Sequence, residues 1–163
     1  MKTKFFILSL TVFLGFTFLS CATRQAAAAA APKADADFNI VKGITWQLDK
    51  ITDAAGSVIF DKAKEDASKF GVCFTLTFGE RASGLGVANN FIAPYEILAG
   101  QKLNIGVAAA TMKMALTEPN ALKEHEYYAF LEKINSWLQD GDTLLLKSAK
   151  ADGSGVTLQF KHN

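Results

Sequence analysis

The chain predicts a mainly β (α+β) fold: a small curled antiparallel sheet or incomplete β-barrel with one amphipathic helix packed on it. Three observations carry this expectation. Apolar and polar residues alternate from Val72 to Phe78 and again from Val156 to Phe160, the mark of strands with one buried face. Turn signals at Ala99-Gly100, Asp140-Gly141 and Asp152-Gly153 separate several short runs of this kind. One stretch changes period: Tyr127, Phe130, Leu131 and Ile134 fall at i, i+3, i+4 and i+7, which is the stripe of an amphipathic helix. Many short strands with a single helix suit a curled sheet whose open side the helix covers.

The chain begins with Lys2 and Lys4 ahead of Phe5–Leu19, 15 residues interrupted only by Ser9, Thr11, Gly15 and Thr17. A membrane-crossing helix needs about 20 apolar residues, so this run fits a secretory signal that lies outside the folded domain. Phe18-Leu19-Ser20-Cys21 resembles a bacterial lipobox, in which the cysteine thiol is acylated and becomes the new N-terminus. Ser20 and Cys21 fit the pattern, whereas Phe18 and Leu19 depart from its usual leucine and small residue. The other reading is a plain signal with an incidental cysteine. Buried acyl chains contribute about 0.8 kcal/mol per methylene, and two or more hold stably. A multiply acylated Cys21, for instance with palmitate, therefore stays on its membrane. Ala22 in place of Asp favours, by resemblance to lipoprotein sorting, the outer over the inner membrane. The expected location is lipid-anchored, with the domain in the periplasm or at the cell surface.

Residues 22–37, ATRQAAAAAAPKADAD, carry no bulky apolar residue. Six alanines favour helix, but a helix this short is marginal in water and Pro32 stops it. The segment reads as a tether spanning about 20–24 Å as a coil. The expected organisation is a signal peptide over 1–20, a lipidated cysteine and spacer over 21–37, and one domain over 38–163. Those last 126 residues can bury a core of their own.

Within the domain, Ile44–Asp49 alternates with Trp46 and Leu48 on one face. In Val72–Phe78, Val72, Phe74, Leu76 and Phe78 point inward, and Cys73, Thr75 and Thr77 outward. Further strands are expected at 86–92, 95–98, 102–108, 137–138, 143–147 and 156–160, the last with Val156, Leu158 and Phe160 inward. A short helical turn is expected at Asp61–Ser68. The helix is expected over Asn120–Asn135, with Pro119 suited to its first turn and Glu124 and Glu126 off its apolar stripe.

Charge and cysteine content exclude several classes. The chain has 17 basic and 16 acidic side chains, and loss of Lys2 and Lys4 takes the formal charge from +1 to −1. A near-neutral domain without a basic stripe has no footprint for nucleic acid. With Cys21 lipidated, Cys73 has no cysteine partner, so neither a disulfide framework nor a cysteine metal cage is expected. Gly84-Leu-Gly86-Val-Ala-Asn89 lacks the third glycine and the helix of a dinucleotide fingerprint. Glu124, His125 and Glu126 point about 100° apart on a helix and read as a solvated face. Asp140-Gly141-Asp142 lacks the other ligands of a calcium loop. His162 has no visible partner and no Gly-x-Ser-x-Gly elbow exists, so no catalytic residue, metal or cofactor is expected.

Trp46-Gln47-Leu48, Phe74–Phe78, Ser83–Phe91 with Pro94-Tyr95, Thr111–Ala115, Glu118-Pro119, the helix and the Asp140–Leu144 hairpin follow one another in a characteristic order. In that order and spacing the chain resembles the META domain (HslJ-like) family over nearly all of residues 44–160. The resemblance implies a barrel-like β fold on bacterial envelope proteins, with relatives associated with stress response, secretion and motility. No catalytic activity defines the family. Ala88 and Leu116 stand where many members carry cysteines, so no bridge or chemistry of theirs carries over. The residues have their own physical reading. Gly84 and Gly86 relieve crowding at a bend, Asn89 and Asn90 accept a left-handed backbone or bond locally, and Pro94 sits at a turn. With Tyr95, these six residues form either a structural loop or a ligand-contacting one. The expected function is a lipid-anchored, non-catalytic envelope domain with a structural, interaction or stress-associated role, bound to the membrane through Cys21 and to an envelope protein. The alternative is a carrier that holds a small apolar ligand inside the barrel.

Overall fold

The computed structural model describes residues 37–149 and 152–162. Cys21, the signal and the spacer lie outside these residues, apart from Asp37. The described chain is an antiparallel sheet of eleven strands with two short helices and two 3-10 turns. β1 (Thr45–Asp53) runs through its middle. It pairs with β11 (Gly155–Lys161) on one side, and with β3 (Thr75–Phe78) and the short β2 (Val58–Asp61) on the other. From β3 the sheet continues to β4 (Ala82–Leu85), β5 (Asn90–Ala93) and β8 (Ala109–Ala110). From β11 it continues to β10 (Thr143–Ala149), β9 (Ser136–Asp140), β7 (Lys102–Ile105) and β6 (Tyr95–Leu98).

The two arms are joined covalently. β5 runs into β6 through Pro94, so one bent segment belongs to both arms of the sheet. Its partner bends at the same level, because Gly106 separates β7 from the approach to β8. The Gly106 N–H donates to the Pro94 carbonyl at 2.9 Å. A side chain at Gly106 would meet the Pro94 ring, so the corner needs glycine opposite proline. The strands β6 and β8 at the ends do not pair with each other. The sheet is therefore the expected curled, incomplete barrel.

The core lies between the concave sheet and α2 (Glu124–Leu131). Trp46, Leu48, Leu76, Phe78, Leu144, Leu146, Leu158 and Phe160 are buried, the inward sets that period-two alternation places on one face, and Ile51 is buried beyond an irregularity in register between Leu48 and Lys50. From the helical stripe, Tyr127, Leu131 and Ile134 are buried and Phe130 is partly so. Edge-to-face rings run from Phe60 to Phe74 to Tyr127 to Phe91. Such pairs contribute beyond the area they bury. At another part of the core, Phe38 from the 3-10 turn Phe38–Ile40 packs on Phe78, Tyr95 and Trp137. The buried Trp46 indole donates to the Val41 carbonyl at 3.0 Å.

Several sequence expectations are corrected. β3 begins at Thr75, not Val72, because Phe74 adopts φ +60°. This left-handed value is uncommon for a bulky residue. The flip breaks the alternation: Val72 is 71% exposed and Cys73 only 4%. The strand expected over 86–92 is instead a turn, Gly86–Asn89, followed by β5. The strand expected over 102–108 ends at Ile105, short of the Gly106 corner. The helix spans eight residues, starting after Lys123 and ending at Leu131. Pro119 precedes it and accepts a bond from Lys123 Nζ on its carbonyl. The Asp61–Ser68 turn is present as a 3-10 turn, Lys62–Lys64, and α1 (Ala67–Phe70), each capped by the aspartate before it.

Candidate functional site

The side chains that the structure brings together lie where the Gly86–Asn89 turn meets the first turn of α2. The turn closes with the Gly86 N–H on the Asn89 carbonyl at 2.8 Å. Its next three N–H groups, from Val87, Ala88 and Asn89, converge on one oxygen, Glu124 Oε1, at 2.6, 2.9 and 2.9 Å. Convergent backbone donors make an anion-binding concavity. Here the chain's own carboxylate occupies it. The other carboxylate oxygen accepts from Asn89 Nδ2 at 2.5 Å.

Asn89 passes the contact onward. Nδ2 also reaches the Lys113 carbonyl at 3.0 Å, and Oδ1 accepts from Thr111 Oγ1 at 2.8 Å and Lys113 N–H at 2.6 Å. Its own carbonyl accepts from the Tyr128 hydroxyl at 3.1 Å. The residue is buried, so this full set of bonds is what a buried amide requires. The turn, helix α2 and the segment after β8 are thereby tied at one residue.

The electrostatics follow from the geometry. Burial pushes the Glu124 carboxyl up, but the Asn89 amide and the N–H groups of Asn89, Ala88 and Val87 outweigh it. The net result is a carboxyl held below its ordinary range. Burial, and then the Glu124 charge, raise the Tyr128 phenol far above its ordinary value. Burial raises the Cys73 thiol as well, with a further contribution from Glu124. A raised, buried thiol is an inert one.

Glycine is required at Gly86 because a Cβ there would fall on the Glu124 carboxylate and the Tyr128 hydroxyl. At Gly84 it would fall on the Thr75 carbonyl. Of the six residues read from the sequence, Gly86 and Asn89 are in the cluster and Gly84 adjoins it through β3. Asn90 begins β5 with an exposed side chain, Pro94 sits at the corner, and Tyr95 donates to the Gly79 carbonyl at 2.6 Å. Neither Asn89 nor Asn90 has a left-handed backbone; the residues with that geometry are Phe74, Gln101 and several glycines. The Asn89 side chain bonds at long range instead, to Thr111, Lys113 and Glu124.

Glu124 was not legible as a site residue. It reads as part of a solvated face with His125 and Glu126, yet its carboxylate is drawn inward. Glu126 turns back to bond the Lys123 N–H at 2.7 Å. The available signal was an acidic residue at the start of the helix beside the buried Tyr127. His162 also departs from expectation: it lies 3.4 Å from Asp142 and edge-on to Trp46. Asp140-Gly141-Asp142 forms the β9–β10 hairpin turn as read.

A family model described as META domain matches residues 39–162. Among solved structures, the chain is similar to a protein from Burkholderia xenovorans determined by NMR. The two are 22% identical, with 85% of this chain and 96% of that one covered and a TM-score of 0.58. It is also similar to a crystal structure of a DUF4847 family protein from Bacteroides vulgatus, at 18% identity, 77% and 96% coverage and a TM-score of 0.53. These likenesses show the fold. No curated protein matches the chain.

Proposed function

The chain belongs to the META domain family, and from that premise we propose that it serves the bacterial envelope as a lipid-anchored, non-catalytic module that binds a protein partner or stabilises the envelope. One observation carries the non-catalytic reading. The polar groups that the fold gathers, Glu124, Asn89, Tyr128 and Thr111, are spent on one another and on backbone. A general base needs a free carboxylate with a raised pKa. Glu124 is the opposite, a depressed carboxylate with both oxygens engaged. The role of the cluster is to hold a surface in shape.

The carrier alternative requires interior space, and typical ligand sites enclose about 300–1,000 Å³. The rings of Phe60, Phe74, Tyr127 and Phe91 occupy the region between sheet and helix where such a ligand would lie. That favours the interaction role.

The address rests on Phe5–Leu19 and Cys21. Metabolic labelling with radioactive palmitate tests it. Wild-type protein is expected to take up label and partition into detergent, and the Cys21→Ser protein is expected to do neither. Unlabelled, freely soluble wild-type protein would remove the reading.

A further inference from the structure

The segment after β8 projects three large apolar side chains into solvent: Met112 is 100% exposed, Met114 87% and Leu116 93%. Scattered exposed apolar residues are ordinary, whereas a contiguous group marks an interaction surface. The group is held in place. Asn89 grips Thr111 and both backbone groups of Lys113, and Glu124 grips Asn89. The exposed lysine Lys113 lies between the two methionines. Met114 and Leu116 also border an open cleft of about 250 Å³ with Lys69, Phe70, Val87 and Ala88.

We propose that Met112, Met114 and Leu116 insert into the headgroup boundary of the anionic bilayer to which the chain is tethered. Three features favour a bilayer over another protein. The side chains protrude from the 13-residue connection between β8 and α2 instead of forming a complementary face, and a fluid needs no matching shape. The exposed Lys113 lies between Met112 and Met114, as suits apolar insertion beside anionic headgroups, with its stem lying along the boundary; Lys69, beside Met114 and Leu116 at the cleft, is paired with Asp66 at 3.3 Å. Only 15 residues separate Cys21 from Asp37, so an anchored domain meets its membrane at high effective concentration. The β8 edge, two residues long, offers little for strand pairing with a second copy.

The proposal rests on Cys21 as the anchor for its local concentration only, and the test separates the two. The chain from Cys21 onward, carrying Met114→Trp, is coupled through the Cys21 thiol to a maleimide lipid. The vesicles contain phosphatidylethanolamine and phosphatidylglycerol, with plain or brominated acyl chains. The coupling supplies the tether whether or not cells acylate Cys21, and the buried Cys73 is protected from it. Trp46 and Trp137 are buried and give the unquenched background. The indole at position 114 is expected to shift to the blue and to lose emission to the bromines. Lys113→Glu is expected to reverse both. Emission identical in plain and brominated vesicles overturns the proposal. So does equal quenching with Asp142→Trp, which marks mere proximity. A blue shift that follows protein density and not bromination marks a second copy and likewise overturns it.

Discussion

Glu124 and Asn89 meet twice, once through the Asn89 backbone N–H on Oε1 at 2.9 Å and once through its side-chain amide on Oε2 at 2.5 Å. Sequence separates them by 35 residues, and the pair joins the β4–β5 turn to α2. A carboxylate with donors on both oxygens is positioned as firmly as a bound ligand, since bonds to ionised acceptors are about twice as strong as neutral ones.

Removing that carboxylate should be costly. Glu124→Ala leaves the N–H groups of Val87, Ala88 and Asn89 without their acceptor, and an unsatisfied buried donor costs about 1–3 kcal/mol. The expected loss for the variant is about 2–3 kcal/mol, read as a fall in urea midpoint at neutral pH. Glu124→Gln, which keeps one acceptor, should lose less. An unchanged midpoint in the alanine variant would show that the cluster is decorative.

The same group sets an acid limit. Its folded carboxyl sits below the ordinary 4.5, so the unfolded chain takes up the proton first and stability rises with pH through this region. The contribution is complete above about pH 4.5 and is lost as pH falls through the folded value. Urea midpoints measured from neutral to acid pH should fall less steeply below that point for Glu124→Gln than for wild type. Parallel curves would assign the acid loss to other carboxylates.

At Gly86, size and not backbone freedom is the constraint. Gly86→Ala drives a methyl into the Glu124 carboxylate and the Tyr128 hydroxyl, and overpacking of this kind costs about 1–3 kcal/mol. In a Tyr128→Phe background one of the two obstructions is gone, so the same substitution should cost less. The double-mutant cycle measures that coupling, and a coupling of zero would mean that the turn relaxes away from the helix.

Legibility divided by range. The strand β11 and the stripe Tyr127, Leu131 and Ile134 were readable because each obeys a local period. The β3 boundary was not, because Phe74 takes φ +60° to place its ring between Phe60 and Tyr127, a tertiary demand overriding a tidy alternation. The Gly86–Asn89 turn reads as strand since nothing nearby reveals that its donors face a carboxylate on a later helix. The helix reads too long because Ile134 keeps its phase while the backbone has already turned towards β9. Glu124 escaped notice for the reason that gives it importance: its partners lie far away in sequence.

The pairing of Leu48 with Phe160 sets an order of events during synthesis. The central strand receives one neighbour, β3, from nearby in the chain and the other, β11, from much further along, so the structure cannot seal until β11 has been made. Such distant pairing slows folding. A truncated product lacking its last dozen residues would present two raw strand edges to its surroundings, a species for quality-control proteases to find.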